Sequence, residues 1–187
     1  ELAQMLSGQV ILGVERRAKY LLINTVQGQV MIHLGMSGSL RILDSSTPAE
    51  THDHVDFVLQ NGRMLRYHDP RRFGSIFWLN EEYKHTLLEN LGSAVFDTNY
   101  LYAVSRSRKT LLKSFLMDGR VVVGVGNIYA NEALYMAGIR PDIPAGKPSR
   151  VRYLKLVNAV KQVLSEAIEA GGTSLKDFVR EDGSPGY

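Results

Sequence analysis

Residues 124–141, GVGNIYANEALYMAGIRP, gather helix-start, helix-stop and anion-binding signals in one stretch. Gly124 and Gly126 precede Asn127, a residue type suited to cap a helix, and Ile128, Leu134, Tyr135 and Ala137 then recur at roughly helical spacing. Gly138 predicts the stop and Pro141 the turn beyond it. Amides at a glycine-rich helix start point outward and attract an anion. The same letters also suit an ordinary capped helix with a tight entry turn, so function must be read from the rest of the chain.

Around that stretch the period is helical. TLLENLG is followed by a connecting segment around Ser93–Tyr100, and Leu101–Asp118 carries Leu111, Leu112, Phe115 and Leu116 ahead of Gly119. Ser149 is placed to cap a long amphipathic helix through Val151, Leu154, Val157, Val160, Val163, Leu164, Ala167 and Ile168, ended by Gly171-Gly172. From Val10 to Leu79 the period is two instead. VILGVERRAKYLLINT, QVMIHLGMSGSLRIL, HVDFVLQ, MLRYHD and SIFWLN read as strands, separated by Gln27-Gly28, Asp44–Glu50 and the hairpin pair Asn61-Gly62. The expected class is α+β: a β-sandwich or barrel over residues 1–92, then a mostly helical domain over 93–187.

Composition narrows the class of protein. With 187 residues and 44% hydrophobic content the chain can bury a core. No apolar run is long enough to span a bilayer, and no charged-then-hydrophobic leader opens the sequence. The absence of cysteine removes disulfides, thiolate catalysis and Cys-ligated zinc within these residues, and fits a reducing compartment. A net charge of +3 is a weak pointer to a polyanionic partner. The opening ELAQMLSGQV reads as the tail of a helix turning at Gly8, and GSPGY at 183–187 is a turn with nothing after it, so a truncated or processed polypeptide is expected.

Three loops of the β-rich half carry residues that simple turns do not need. In His33-Leu34-Gly35-Met36-Ser37-Gly38 the unbranched Met36 is either core or a slender wedge for a base stack. In Asp69-Pro70-Arg71-Arg72-Phe73-Gly74 the guanidinium groups suit phosphate, and Phe73 either folds inward or stacks on a base. In His52-Asp53-His54-Val55-Asp56, strand alternation would put His52, His54 and Asp56 on one face; no fourth ligand is in view, and a histidine donating to an anion is favoured over a metal. Lys19, in Arg16-Arg17-Ala18-Lys19-Tyr20, is the chemical candidate. Alternation would set it beside Arg17 and Leu21, and crowding by Arg16 and Arg17 would disfavour its charged form; a basic strand edge that blocks aggregation is the plainer alternative.

RRAKYL, HLGMSGSLRIL, HDHVDF, LRYHDPRRFG, VVVGVGNIYANEAL, AGIRP and GGTSLKDF, in that order, resemble the bacterial formamidopyrimidine-DNA glycosylase family, which removes 8-oxoguanine and ring-opened purines from oxidised DNA. The resemblance implies an N-terminal β-sandwich and a helix–two-turns–helix domain, with GVGNIYANE in the second turn and helix. It implies that Lys19 lies near the abasic sugar as proton donor in β-elimination, and that His33, His52, Arg71, Lys109 and Asn127, with Arg108 beside them, contact phosphate or DNA. Met36, Arg71 and Phe73 would fill the gap left by the flipped nucleotide. Lys113, Thr173 and Lys176 would lie near the damaged base. Extrusion costs a few kcal/mol of unstacking, which wedge side chains and phosphate clamps offset.

The departures are specific. Family members begin Pro-Glu-Leu-Pro-Glu, where the proline amine attacks the sugar, and end in a zinc finger; neither is present in these residues. The resemblance therefore implies a core piece of a bifunctional glycosylase/AP lyase, itself lacking the nucleophile and inactive in excision, without cofactor in this piece and with zinc in the finger of the whole protein. The expected partner is damaged double-stranded DNA, with no membrane, for a cytoplasmic monomer acting on nucleoid DNA. Alternatives are a nucleic-acid-binding module without catalysis, an endonuclease VIII-like glycosylase, and a domain whose basic loops are merely solvated.

Overall fold

The computed structural model describes residues 2–79, Leu88 and 91–170. They fall into two compact units, one within Glu1–Lys84 together with Ala170 and the other within His85–Glu169.

The first unit opens with a short helix, α1 (Leu2–Leu6), followed by seven strands: β1 (Ile11–Arg17), β2 (Tyr20–Thr25), β3 (Gln29–His33), β4 (Ser39–Asp44), β5 (Asp53–Val58), β6 (Arg63–His68) and β7 (Ser75–Leu79). They form antiparallel sheets in the orders β1-β2-β3-β7 and β4-β6-β5. Ile23, Val30 and Ile32 of the first sheet and Leu40, Phe57 and Leu65 of the second share one apolar cluster, which Leu2 and Leu6 join. Two connections cross between the sheets side by side. Residues 34–38 lead from β3 to β4 and residues 69–74 from β6 to β7, between the cross-strand pairs His33–Ser75 and Ser39–His68.

The run 10–25 is not one strand. It is a hairpin turned at Ala18-Lys19, with Arg17 paired to Tyr20 and Ala18 at φ 58. An Ala-Lys turn lacks the glycine or asparagine that usually marks a left-handed position, which is why alternation misplaced Lys19 in a strand. The His52/His54/Asp56 face is also lost, because the β5–β6 register shifts between Asp53 and Val55 and leaves His54 in a bulge.

The second unit holds α2 (Thr98–Ser105), α3 (Leu112–Met117), α4 (Asn127–Met136) and α5 (Arg150–Glu169). Asp97 caps α2 by accepting the Tyr100 amide at 2.8 Å, so helix begins inside the expected connecting segment, and the expected 101–118 helix is broken by a loop. Leu101, Leu112, Phe115, Leu116, Ala130, Ala133, Leu134, Leu156 and Val160 form the core around Tyr153, whose hydroxyl donates to the Ala145 carbonyl at 2.9 Å. Of the expected buried face of α5, Val157, Val160, Val163 and Ala167 are inside, joined by Tyr153, Leu156 and Ala159, while Val151, Leu154 and Ile168 are exposed. The turn at Gly171-Gly172 and most of TLLENLG lie outside the described residues.

The N-cap of α4 is Gly126, in extended conformation, and Asn127 is the first helical residue rather than the cap. A glycine cap leaves the Asn127 side chain exposed instead of folded back on the backbone. Ala130, Ala133 and Leu134 form the buried face, and Tyr135 is 90% exposed. Gly138, at φ 64, ends the helix: its amide donates to the Tyr135 carbonyl at 3.0 Å and that of Ile139 to Leu134 at 2.9 Å, while Ile139 and Leu134 meet in the core. A Cβ at Gly138 meets nothing within 4 Å, so Gly138→Ala should cost only backbone strain, about 1 kcal/mol in a denaturant titration. A loss above about 3 kcal/mol would show that the site is packed rather than conformationally constrained.

Candidate nucleic-acid interface

The two crossing loops of the β-unit are fastened to one carboxylate. Asp69, 1% exposed, accepts from the Ser37 hydroxyl at 2.7 Å, the Tyr67 hydroxyl at 2.9 Å and the Gly74 amide at 2.9 Å. Ser37 Oγ in turn accepts the Arg71 amide at 3.2 Å, linking the loops directly. Burial works to raise the Asp69 pKa, but the Ser37, Gly74 and Tyr67 hydrogen bonds outweigh it and leave the carboxyl below its ordinary value. Burial, with the Asp69 bond and charge, pushes the Tyr67 phenol up, so its proton stays on as donor. The backbones touch as well: a side chain at Gly35, φ 66, would collide with the Phe73 carbonyl carbon and the Gly74 nitrogen.

From this base Met36 and Phe73 project into solvent, 69% and 59% exposed, so neither is core. An unbranched thioether and an aromatic ring on adjoining loops offer apolar surface that a base stack could cover. The Arg71 guanidinium lies 5.1 Å from the Phe73 ring centroid, and Arg72 is held at φ 55.

His33 closes β3 at the foot of the first loop. Its Nδ1 faces the Gly35 amide at 3.3 Å, the acceptor role, which in the neutral ring puts the proton on Nε2. Burial and the nearby Lys19 charge both lower its pKa. Lys19 is exposed at the hairpin tip, yet packing around its ammonium lowers its pKa. The cause is burial and not the expected crowding by Arg16 and Arg17, whose strand ends before the turn. His52, at φ 75, is exposed; its carbonyl accepts the Asp69 amide at 3.0 Å and its ring meets that of His68 edge-on at 6.0 Å. His54 instead bonds the Asp69 carbonyl at 2.9 Å.

Behind His52 lies an ionic cluster that sequence reading missed. Asp53 pairs with His68 at 2.8 Å and Arg66 at 3.3 Å, and Arg66 also bonds Asp56 at 2.8 Å and the Pro48 carbonyl at 2.7 Å. Asp69, Ser37 and Tyr67 were missed too. An Asp ahead of Pro is a turn-starting signal, but its partners are distant in sequence.

In the helical unit, Arg108 and Lys109 are exposed in the loop between α2 and α3. Arg106 anchors that loop, 3.9 Å from the Tyr102 ring centroid and bonded to the Pro148 carbonyl at 2.9 Å. The Ala145 amide donates to Thr110 at 2.9 Å, and that of Gly146 to Arg108 at 3.1 Å. Lys113 is half-buried in α3, its amide bonded to Pro141 at 3.2 Å. Asp118, at the turn after α3, is held below its ordinary pKa, chiefly by the Arg120 bond and in smaller part by the charge of Arg108. The chain then passes through buried Val121, Val122, Val123 and Val125 into α4, where the amides ahead of Ala130 form the positive end of the helix dipole beside exposed Asn127. Lys19, His33, Met36, His52, Arg71 and Phe73 thus belong to one unit, and Arg108, Lys109, Lys113 and Asn127 to the other. Thr173 and Lys176 lie outside the described residues. No group of three or more His, Asp or Glu that could hold a metal occurs among the described residues, and the chain has no cysteine.

Known proteins resemble this chain in sequence and in fold. Residues 1–76 match the family model described as formamidopyrimidine-DNA glycosylase N-terminal domain, and residues 88–179 match its H2TH domain. Formamidopyrimidine-DNA glycosylase of Shewanella amazonensis is 56% identical, covering 100% of this chain and 71% of the relative; that of Xanthomonas campestris pv. campestris strain B100 is 54% identical with the same coverage. Among solved structures, the MutM (Fpg) protein from Thermus thermophilus superposes with TM-score 0.85 at 36% identity, covering 97% of this chain and 70% of that one. Lactococcus lactis Fpg bound to abasic-site DNA gives 0.87 at 27% identity, over 96% and 68%. Two successive family models, and relatives more than half identical along the full chain, establish that this protein belongs to the formamidopyrimidine-DNA glycosylase family.

Proposed function

We propose that this chain recognises damaged double-stranded DNA for base-excision repair, as the core of an enzyme that excises 8-oxoguanine and formamidopyrimidines and cleaves the abasic strand. The observation that carries this reading is the exposure of Met36 and Phe73 on loops joined at one buried carboxylate. Extruding a nucleotide leaves a hole in the stack; Met36 fills it, Phe73 stacks beside the orphan base, and Arg71 holds that base and a phosphate. His33, through Nε2–H, and His52 donate to backbone phosphates. The basic loop at Arg108 and Lys109 and the start of α4 at Asn127 take phosphates on the helical side. Lys113, with Thr173 and Lys176, faces the lesion. The β-rich half to about residue 92 supplies the wedge and the helical half the grip. Lys19, with its ammonium disfavoured by burial, gives or takes a proton at the abasic sugar.

The reading extends to a monomer working in the cytoplasm on nucleoid DNA; no helix among the described residues is long and apolar enough to cross a membrane. Zinc belongs to a cysteine-bearing finger outside these cysteine-free residues.

Phosphate contact makes affinity salt-dependent. With roughly four to six cationic contacts, log Kd against log salt should change with a slope of magnitude about 4–5, and Arg71→Ala should reduce it by about one. A flat titration would remove the phosphate contacts. The test of the function is affinity for an abasic duplex against an intact one. Met36→Ala and Phe73→Ala should each weaken abasic binding about tenfold or more and leave intact-duplex binding nearly unchanged. Equal losses on both DNAs would contradict the wedge.

A further inference from the structure

The wedge side chains sit on different loops, yet the loops share their supports. Residues 34–38 and 69–74 run between the same two sheets at the same end, flanked by the pairs His33–Ser75 and Ser39–His68. Between them a single chain of bonds runs from the Arg71 amide to Ser37 Oγ, from the Ser37 hydroxyl to Asp69, and to Asp69 again from Tyr67 and Gly74. Ser37 immediately follows Met36 and Gly74 immediately follows Phe73, so both wedge residues are one peptide away from an atom bonded into this chain.

We propose that Ser37, Tyr67 and Asp69 are positioning residues that hold Met36 and Phe73 as one preassembled wedge, and that the preference for DNA with a missing base depends on these side chains although they are buried beneath the loops. This rests on the DNA-recognition reading above and deepens it. Inserting an apolar side chain from a mobile loop would require ordering that loop on binding, and the loss would subtract from affinity. Here the loops are already joined without DNA: the Asp69 carboxylate accepts from three donors, and Gly35 lets the backbones pack without an intervening side chain. A loop-fastening role alone would affect all DNA binding equally; a positioning role acts where the wedge enters a gap. It also makes Ser37 and Met36 energetically dependent on each other.

Asp69 itself is too buried for a clean test, so the experiment uses Ser37→Ala and Tyr67→Phe, each of which removes one hydroxyl and leaves the carboxylate other donors. Fluorescence anisotropy would give Kd for abasic and intact duplexes with wild type, both variants, Met36→Ala, and the Ser37→Ala/Met36→Ala pair. Thermal melts would be recorded alongside. The expected result is a fall of about fivefold to tenfold in the abasic-to-intact preference for Ser37→Ala and Tyr67→Phe, with intact-duplex affinity within about twofold of wild type. Met36→Ala should cost less in the Ser37→Ala background than alone. Preference kept in both variants, or full additivity of the pair, would overturn the positioning role. If Met36→Ala lowers the preference while the hydroxyl variants do not, the positioning role alone falls; if Met36→Ala leaves it intact, the wedge reading falls and the positioning role with it.

Discussion

Asp69→Ala is expected to destabilise the β-unit by about 3–5 kcal/mol, the largest effect of any single substitution in the loops. The change leaves the Ser37 and Tyr67 hydroxyls and the Gly74 amide without their acceptor in a site that is 1% exposed, where water cannot replace it. The pH dependence follows the same bonds. The folded carboxyl lies below its ordinary value, so its contribution is fully present above the unfolded pKa of about 3.9 and is lost as pH falls through the folded value. Asp53, also lowered, with burial opposed by the Glu50 amide, His68 and Arg66, adds to that acid limb. Urea midpoints between about pH 5 and pH 2 should therefore fall less steeply for Asp69→Asn than for wild type; identical acid limbs would show that the carboxylate is not what holds the loops.

A polypeptide made of these 187 residues alone should not excise 8-oxoguanine. It contains no Pro-Glu-Leu-Pro-Glu segment, and a glycosylase/lyase that proceeds through an imine needs an amine placed at the anomeric carbon. No 8-oxoguanine should be released, and borohydride should trap no adduct on duplex containing it. Abasic DNA is different, because its ring-opened sugar already offers an aldehyde. The Lys19 amine, its charged form disfavoured by burial, can add to that carbonyl carbon with loss of water and give an imine that borohydride reduces. A faint adduct is expected there, and Lys19→Ala should abolish it. Restoring a proline-initiated segment should bring back excision. Robust release of 8-oxoguanine by a polypeptide whose intact mass shows that it begins at Glu1 would place the nucleophile elsewhere.

Legibility in the sequence followed how local each cause was. The α4 stop could be read because Gly138 carries the left-handed conformation itself, and the wedge loops because their glycines and proline announce turns. The hairpin at Ala18-Lys19 was hidden because neither residue advertises a turn, so alternation carried a strand through it and gave Lys19 the wrong neighbours. The His54 bulge failed for the same reason: period-two reading assumes an unbroken register. The Asn127 cap was displaced by one residue because Gly126 can itself begin a helix. The Asp69 interlock was beyond local reasoning, since Ser37 lies 32 positions away and the two meet only after both crossing connections are in place. Exposure decided the rest. Met36 read more readily as core than as wedge, and Phe73 as either; their open surfaces remove the core reading.

The central claim is that Phe73 stacks beside the base opposite a missing nucleotide, and site-specific photocrosslinking tests it most directly. With p-benzoylphenylalanine in place of Phe73 and irradiation on a duplex bearing one abasic site, the adduct should map to the nucleotide opposite that site, and the matched intact duplex should give none there. Adducts distributed alike along both duplexes, or none on the abasic one while binding persists, would contradict the account.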